Sequence, residues 1–224
     1  MLVVVILIVL WVIVAPGCMT FRMTDENAKK QFRKKGLELK TGFLEAFGRT
    51  IHYTNVGNDS LPTLFFLHGS PSTWNSFMEY MQDPELLFYC RMVSIDRPGF
   101  GYSEGSAVNL SEQSKLMLEV VRQLNNGKSS YLAGHSLGGP LAVKMAADEP
   151  SWFKGISLIS GSVSPELEPA EKWRFVFDKI PLKYFLPGAF RPSNTELVYF
   201  KSDVKELLED FPKVGCNVYL IHGE

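Results

Sequence analysis

The chain has 224 residues, 46% of them hydrophobic, with a formal net charge of −1. That suits one globular domain with a sizeable core. It lacks the basic block or stripe of a nucleic-acid binder and any acidic, cation-scavenging tail. No internal repeat and no low-complexity tract interrupts it.

The first residues, "MLVVVILIVLWVIVAPGCMT", are apolar without a break from Leu2 to Ala15. As a helix this run spans roughly 21 Å at about 1.5 Å per residue, short of the roughly 30 Å hydrocarbon core of a bilayer. The small residues Ala15-Pro16-Gly17 lead into Cys18. The segment resembles a bacterial lipoprotein signal, which implies lipid attachment at Cys18 and a location in the bacterial cell envelope. It departs from that pattern in having no Lys or Arg ahead of the apolar run. An uncleaved membrane anchor and an artefact of a misplaced start codon are the alternatives, and all three readings put residues 1–18 outside the fold. Residues 19–36 are charged with a basic bias and are expected to be a tether with some helical character. Cys90 and Cys216 each open an apolar segment and read as small buried hydrophobes, with a bridge between them left open.

From Leu37 the chain alternates short apolar runs with turn signals. "LELKTGFLEAFGRTIHYTNVG" predicts an antiparallel strand pair with a turn at Gly48-Arg49. "TLFFLHG" and "RMVSIDRPGFGYS" are continuous apolar runs ending in Gly/Pro loops, as strands buried on both faces would be. In "NLSEQSKLMLEVVRQLNNG", Leu116, Val120 and Leu124 recur at helical spacing, Asn109 with Glu112 forms a capping box, and Gly127 marks the stop. "SSYLAG" predicts a strand, "GGPLAVKMAADEP" a helix and "FKGISLIS" a strand. Residues 161–214 are rich in aromatics and prolines and read as a helical cap inserted between two strands. Within it Ser193 and Glu196 suggest a capping box, with Leu197, Phe200, Val204, Leu207 and Leu208 on one helix face. "CNVYLIHGE" returns to strand character. The order argues for an α/β fold: a mostly parallel, doubly wound sheet entered through an N-terminal antiparallel hairpin, with a helical cap insertion. The loops after Leu67, Ile95 and Ala133 then gather at the carboxyl edge, where open sheets bind ligands.

Gly134-His135-Ser136-Leu137-Gly138 is G-x-S-x-G between a strand and a helix. Such a serine sits on a sharp turn with its hydroxyl outward, and the flanking glycines make room for the turn. A bare hydroxyl is a poor nucleophile, so the turn supplies position and a base elsewhere must supply activation. The cysteine and histidine spacings give no metal-ligand set, and neither metal nor organic cofactor is expected.

"HGSP" at 68–71, "DRPGFGYS" at 96–103 and "GHSLGG" at 134–139 together resemble the α/β-hydrolase family over Leu37 to the end. The resemblance implies Ser136 as nucleophile. The oxyanion hole would be the N–H groups of Leu137 and Ser70, with Gly69 and Pro71 shaping the loop and a Ser70–Pro71 cis bond compatible with it. Gly134, His135 and Gly138 would shape the elbow, His68 would be a structural hydrogen-bonder, and Asp96 a carboxylate fixing its own loop. The implied substrate is a small-molecule ester or amide, with an apolar portion if the cap aromatics line the site.

The family order is serine, acid, histidine, and only His222 follows Ser136. By resemblance His222 belongs to an H-G-x-x-D pattern in which Glu224 is the first x. The expectation is therefore a core incomplete at its C-terminus, lacking acid and base; Glu166 after "GISLIS" is the alternative acid. Epoxide and haloalkane hydrolases carry an aspartate at the elbow, against Ser136 here. Carbon–carbon bond hydrolases, peroxidase-like relatives and proline iminopeptidases keep the serine, and a non-catalytic envelope binding protein is the remaining reading.

Overall fold

In a computed structural model, which describes residues 1–169 and 171–223, one seven-stranded sheet organises the chain. In chain order the elements are α1 (Leu2–Val14), α2 (Asp25–Lys34), β1 (Lys40–Ala46), β2 (Arg49–Val56), β3 (Thr63–Leu67), α3 (Met78–Met81), α4 (Pro84–Tyr89) and β4 (Arg91–Ile95). There follow α5 (Leu110–Leu124), β5 (Ser130–His135), α6 (Gly138–Asp148), β6 (Phe153–Ile159), α7 (Trp173–Phe177), α8 (Phe190–Leu207) and β7 (Asn217–Ile221). The strand order is β1-β2-β4-β3-β5-β6-β7. β1, β2 and β4 pair antiparallel in turn, and every pairing from β4 to β7 is parallel. This is the expected α/β architecture with its N-terminal hairpin. The hairpin turn sits one residue earlier than expected: Phe47 and Gly48 both have positive φ (49° and 76°), and Ala46 pairs with Arg49. Two left-handed residues match the natural twist of a two-residue hairpin.

Strand alternation sends side chains to two separate cores. Phe65, Leu67, Val93, Ile95 and Leu132 face α5, α6 and the buried stripe Phe200, Val204 and Leu207 of α8. Phe66, Met92 and Ala133 face the other way, onto Trp74, Phe77 and Met81. α2 completes this second core. Ala28 and Phe32, four residues apart, are fully buried there, while Lys29, Lys30 and Arg33 stay outside. Thr24 caps the helix by accepting the Asn27 N–H. The segment expected as a tether is thus packed, because one apolar stripe within a charged run is enough to dock a helix.

α5 is capped as expected by Asn109, whose Oδ1 accepts the Glu112 N–H at 2.9 Å, and it ends at Leu124, three residues before Gly127. α8 departs from expectation. It begins at Phe190, so Ser193 lies inside the helix, with its N–H on the Ala189 carbonyl, and caps nothing. Pro192 falls in the first turn, where a missing N–H costs no helical bond. Leu208 lies just past the end of the helix and is exposed. All three cysteines are free and partly buried, and burial pushes the Cys90 thiol up to about 11. β7 forms one edge of the sheet, and all five of its residues are exposed.

Truncating Phe32 tests whether α2 belongs to the fold. Phe32→Ala should destabilise the protein by about 3–5 kcal/mol in urea unfolding; a loose tether would give no change.

Candidate active site

The strand-to-helix turn after β5 carries Ser136 at φ 52°, a left-handed conformation that a non-glycine residue adopts at a cost. Its neighbours explain the two glycines. A Cβ on Gly134 would overlap the Gly138 carbonyl, and a Cβ on Gly138 would overlap the Leu67 carbonyl at the end of β3. The turn is held by its backbone: Ser136 N–H donates to Ile159 O at 3.0 Å, and Ser136 O accepts from the N–H groups of Gly139 and Ser162. Ser136 is half-buried, and among the described residues nothing hydrogen-bonds its hydroxyl.

The loop after β3 lies directly against this turn. A Cβ built on Gly69 would come 3.0 Å from Ser136 Cβ and 3.2 Å from His135 Nδ1. The Ser70–Pro71 peptide is cis, and Ser70 Oγ is buried with no partner among the described residues. Neither the Leu137 N–H nor the Ser70 N–H meets an acceptor among the described residues. Both donors are unspent: Leu137 lies at the amino end of α6, where the helix dipole favours negative charge, and Ser70 follows Gly69, which packs against Ser136.

The four histidines have separate duties. The His68 ring is buried; its Nδ1 donates to Gly69 O at 2.7 Å, and its Nε2 accepts the Arg97 N–H at 3.0 Å. Burial, reinforced by the Arg97 charge, holds it well below the ordinary histidine value, so it stays neutral. His52, also buried, bridges Asp96 Oδ2 at 2.8 Å and Asp25 Oδ1 at 3.2 Å. His135 is half-buried against Gly69, and His222 is exposed beyond β7, its Nδ1 on Gly223 O. None of these bonds reaches Ser136. Glu166 is exposed and held below the usual carboxylate range by its own backbone N–H and by the Ser164 hydroxyl, which donates to it at 2.9 Å. Glu224, named in the H-G-x-x-D reading, lies outside the described residues.

Asp96 fixes its own loop, as expected: Oδ1 accepts Trp74 N–H at 2.8 Å, and Oδ2 accepts Tyr102 N–H at 3.0 Å. The residue that sequence reasoning missed is its neighbour. Arg97 has no exposed surface. Its guanidinium donates to the carbonyls of His68 (2.8 Å) and Gly69 (2.9 Å), to Gln113 Oε1 (2.7 Å) and to both oxygens of Glu196 (2.8 and 3.1 Å). Glu196 is therefore an ion-pair partner from α8 and not half of a capping box. A lone Arg inside "DRPGFGYS" was the available signal, but its partner lies 99 residues away. Among the described residues no group of His, Cys, Asp and Glu side chains is arranged to hold a metal ion.

A sequence model described as the alpha/beta hydrolase fold matches residues 62–197. Monoglyceride lipase of Mus musculus is 31% identical over 99 residues, which is 42% of this chain and 32% of that protein. Pimeloyl-[acyl-carrier protein] methyl ester esterase of Nitrosospira multiformis is 27% identical over 145 residues, 62% of this chain and 52% of that protein. The matched region thus spans less than two thirds of these curated relatives. Among solved structures, a bacterial membrane phospholipase A superposes with a TM-score of 0.60 at 18% identity, covering 99% of this chain and 80% of that one, which is a likeness of fold.

Glu196→Ala leaves the buried guanidinium without its counter-charge and should cost about 3–5 kcal/mol of stability. Urea unfolding beside Glu196→Gln checks this, since the amide keeps the shape and part of the hydrogen bonding.

Proposed function

The chain belongs to the α/β-hydrolase fold family, and from that premise we propose that it is a serine hydrolase of carboxylic esters, with Ser136 as the nucleophile. The observation that carries this reading is the half-buried Ser136 at φ 52°, unbonded, beside the unspent N–H groups of Leu137 and Ser70. In the proposed reaction Ser136 Oγ bonds to the acyl carbon while its proton passes to a base. The carbonyl oxygen becomes an oxyanion held by the two N–H donors, where each donor contributes roughly 3–4 kcal/mol of barrier lowering. The C–O bond to the alcohol then breaks, the alcohol takes the proton, and water releases the acid by the same route in reverse. The names of the esterase and lipase relatives support an ester as substrate.

Among the described residues no histidine bonds Ser136. His52 and His68 are buried in other bonds, and His135 and His222 make no bond to Ser136. We place the acid and the histidine outside the 224 residues. The 224-residue form should then hydrolyse p-nitrophenyl butyrate at no more than about a thousandth of the rate of a form extended by its natural downstream codons. In the extended form Ser136→Ala should abolish turnover and fluorophosphonate labelling. Equal rates for short and extended forms would overturn the placement of the base, and full activity of Ser136→Ala would overturn the nucleophile.

We further infer attachment to a bacterial envelope membrane through the N-terminus. Among the described residues no helix is long and apolar enough to cross a membrane. Two attachments fit the sequence: cleavage and lipidation at Cys18, or retention of α1. Contacts with the cap favour retention. Trp11 Nε1 donates to Phe185 O at 3.0 Å, and Gly188 N–H donates to Ala15 O at 2.9 Å; cleavage before Cys18 would remove both. Intact-mass measurement of the membrane-extracted protein should find a chain still carrying residues 2–17. A lipidated mass beginning at Cys18 would reverse that choice.

A further inference from the structure

We propose that α1 and the Ile180–Phe190 edge of the cap form one docking face for an anionic lipid bilayer, with the mouth of the Ser136 site turned toward it. This goes beyond the hydrolase reading and rests on the retention of α1.

The only polar side-chain group in α1 is the Trp11 indole N–H, which Phe185 O takes up, and none of its residues is buried. A protein groove covers one stripe of a helix, whereas a helix apolar around its whole circumference is satisfied by surrounding hydrocarbon. Its 13 residues reach about 20 Å at about 1.5 Å per residue, which enters a bilayer without crossing it. A short insertion of this kind is a weak anchor unless a second contact, such as a basic patch, adds to it.

The cap supplies that contact where α1 leaves the fold. Besides the Trp11 and Ala15 bonds, Ala189 N–H donates to Met19 O at 3.2 Å, and the rings of Phe21 and Phe190 lie 6.0 Å apart. Beside this junction Ile180 is 69% exposed, Leu182 and Tyr184 38% each and Phe190 39%. Cations border the apolar residues: Lys179 is exposed, and Lys183 Nζ and the Arg191 guanidinium sit 5.3 and 5.2 Å from the Tyr184 ring centre. Residues 19–35 and 171–192 together hold eleven Lys and Arg against four Asp and Glu, while the whole chain holds 23 against 24. The positive charge of a slightly acidic protein is therefore gathered in the two segments that flank α1, which matches an anionic surface.

The strap after α1 ties this face to the site. Phe21 O accepts from Thr73 Oγ1 at 3.0 Å, three residues past Ser70, and the Arg22 guanidinium lies 5.2 Å from the Tyr102 ring centre. Both partners belong to the loops at the carboxyl edge of the sheet. A bilayer holding α1 is thus held close to the loops that surround the half-buried Ser136.

The test is sedimentation of the 224-residue protein with phosphatidylcholine vesicles and with mixed phosphatidylcholine–phosphatidylglycerol vesicles, combined with hydrogen exchange. Wild type should bind both and prefer the mixed vesicles, and salt should erase the preference. Lys179→Glu with Lys183→Glu should lower affinity for mixed vesicles on the order of tenfold or more and leave phosphatidylcholine affinity within about twofold. Exchange on mixed vesicles should slow in residues 2–17 and in 179–190. Slowing in α1 alone, with cap exchange unchanged and a salt-insensitive preference, would overturn the docking face and leave the anchor standing. No binding to either vesicle would overturn both and leave the Ser136 reading untouched. If the double variant misfolds, the salt and exchange results on wild type decide.

Discussion

A guanidinium with no exposed surface lies beneath the loop that meets Ser136, and three parts of the chain close on it. Arg97 binds the carbonyls of His68 and Gly69 from the loop after β3, Gln113 from α5 and Glu196 from α8. Burying one charge is costly without a close counter-charge and enough acceptors to use its donors. That requirement fixes α8 relative to the carboxyl edge of the sheet, and with it the cap. It also aims the Gly69 and Ser70 backbone, since the two carbonyls before Ser70 are already engaged. The Ser70 N–H meets no acceptor among the described residues.

The elbow and the loop depend on each other sterically as well. Gly138 packs against the Leu67 carbonyl, and Gly69 packs against Ser136 and His135. Backbone therefore approaches backbone at the two places where side chains would hold the strands apart. Asp96 joins the same construction from the other side, and through the buried His52 it reaches Asp25 at the start of α2. One chain of polar bonds, buried except at Asp25, thus links α2 to the loops around Ser136. Each member is partnered, the condition under which a buried network stiffens a structure.

The N-terminal region carries two kinds of surface in succession. α1 offers only apolar surface and finds no core, while α2 offers one apolar stripe under a charged coat and finds the second core. The difference follows from periodicity, since only a two-faced helix can satisfy protein and water together. The strap between them runs along the cap and past Thr73, so α1 is tied to the loops at the carboxyl edge of the sheet.

The amino-acid sequence by itself determined the strand runs, the hairpin, the Asn109 cap and the glycine-flanked elbow. These are decided by residues a few positions apart: alternation, a side chain reaching the next turn, a missing Cβ at a tight bend. It also determined that Asp96 would fix its own loop, because the Tyr102 N–H that Oδ2 accepts lies only six residues on; the Trp74 N–H on Oδ1 comes from a separate loop. Tertiary structure alone decided that Ser193 caps nothing and that Glu196 answers Arg97 across 99 residues. It likewise decided that Phe32 is core and not tether, and that the two core strand faces divide between α5, α6 and α8 on one side and α2 and Trp74 on the other. In each of those cases the local pattern fits more than one outcome. The choice falls to which buried charge must be neutralised and which apolar stripe meets which uncovered face, quantities that exist only once distant segments come together.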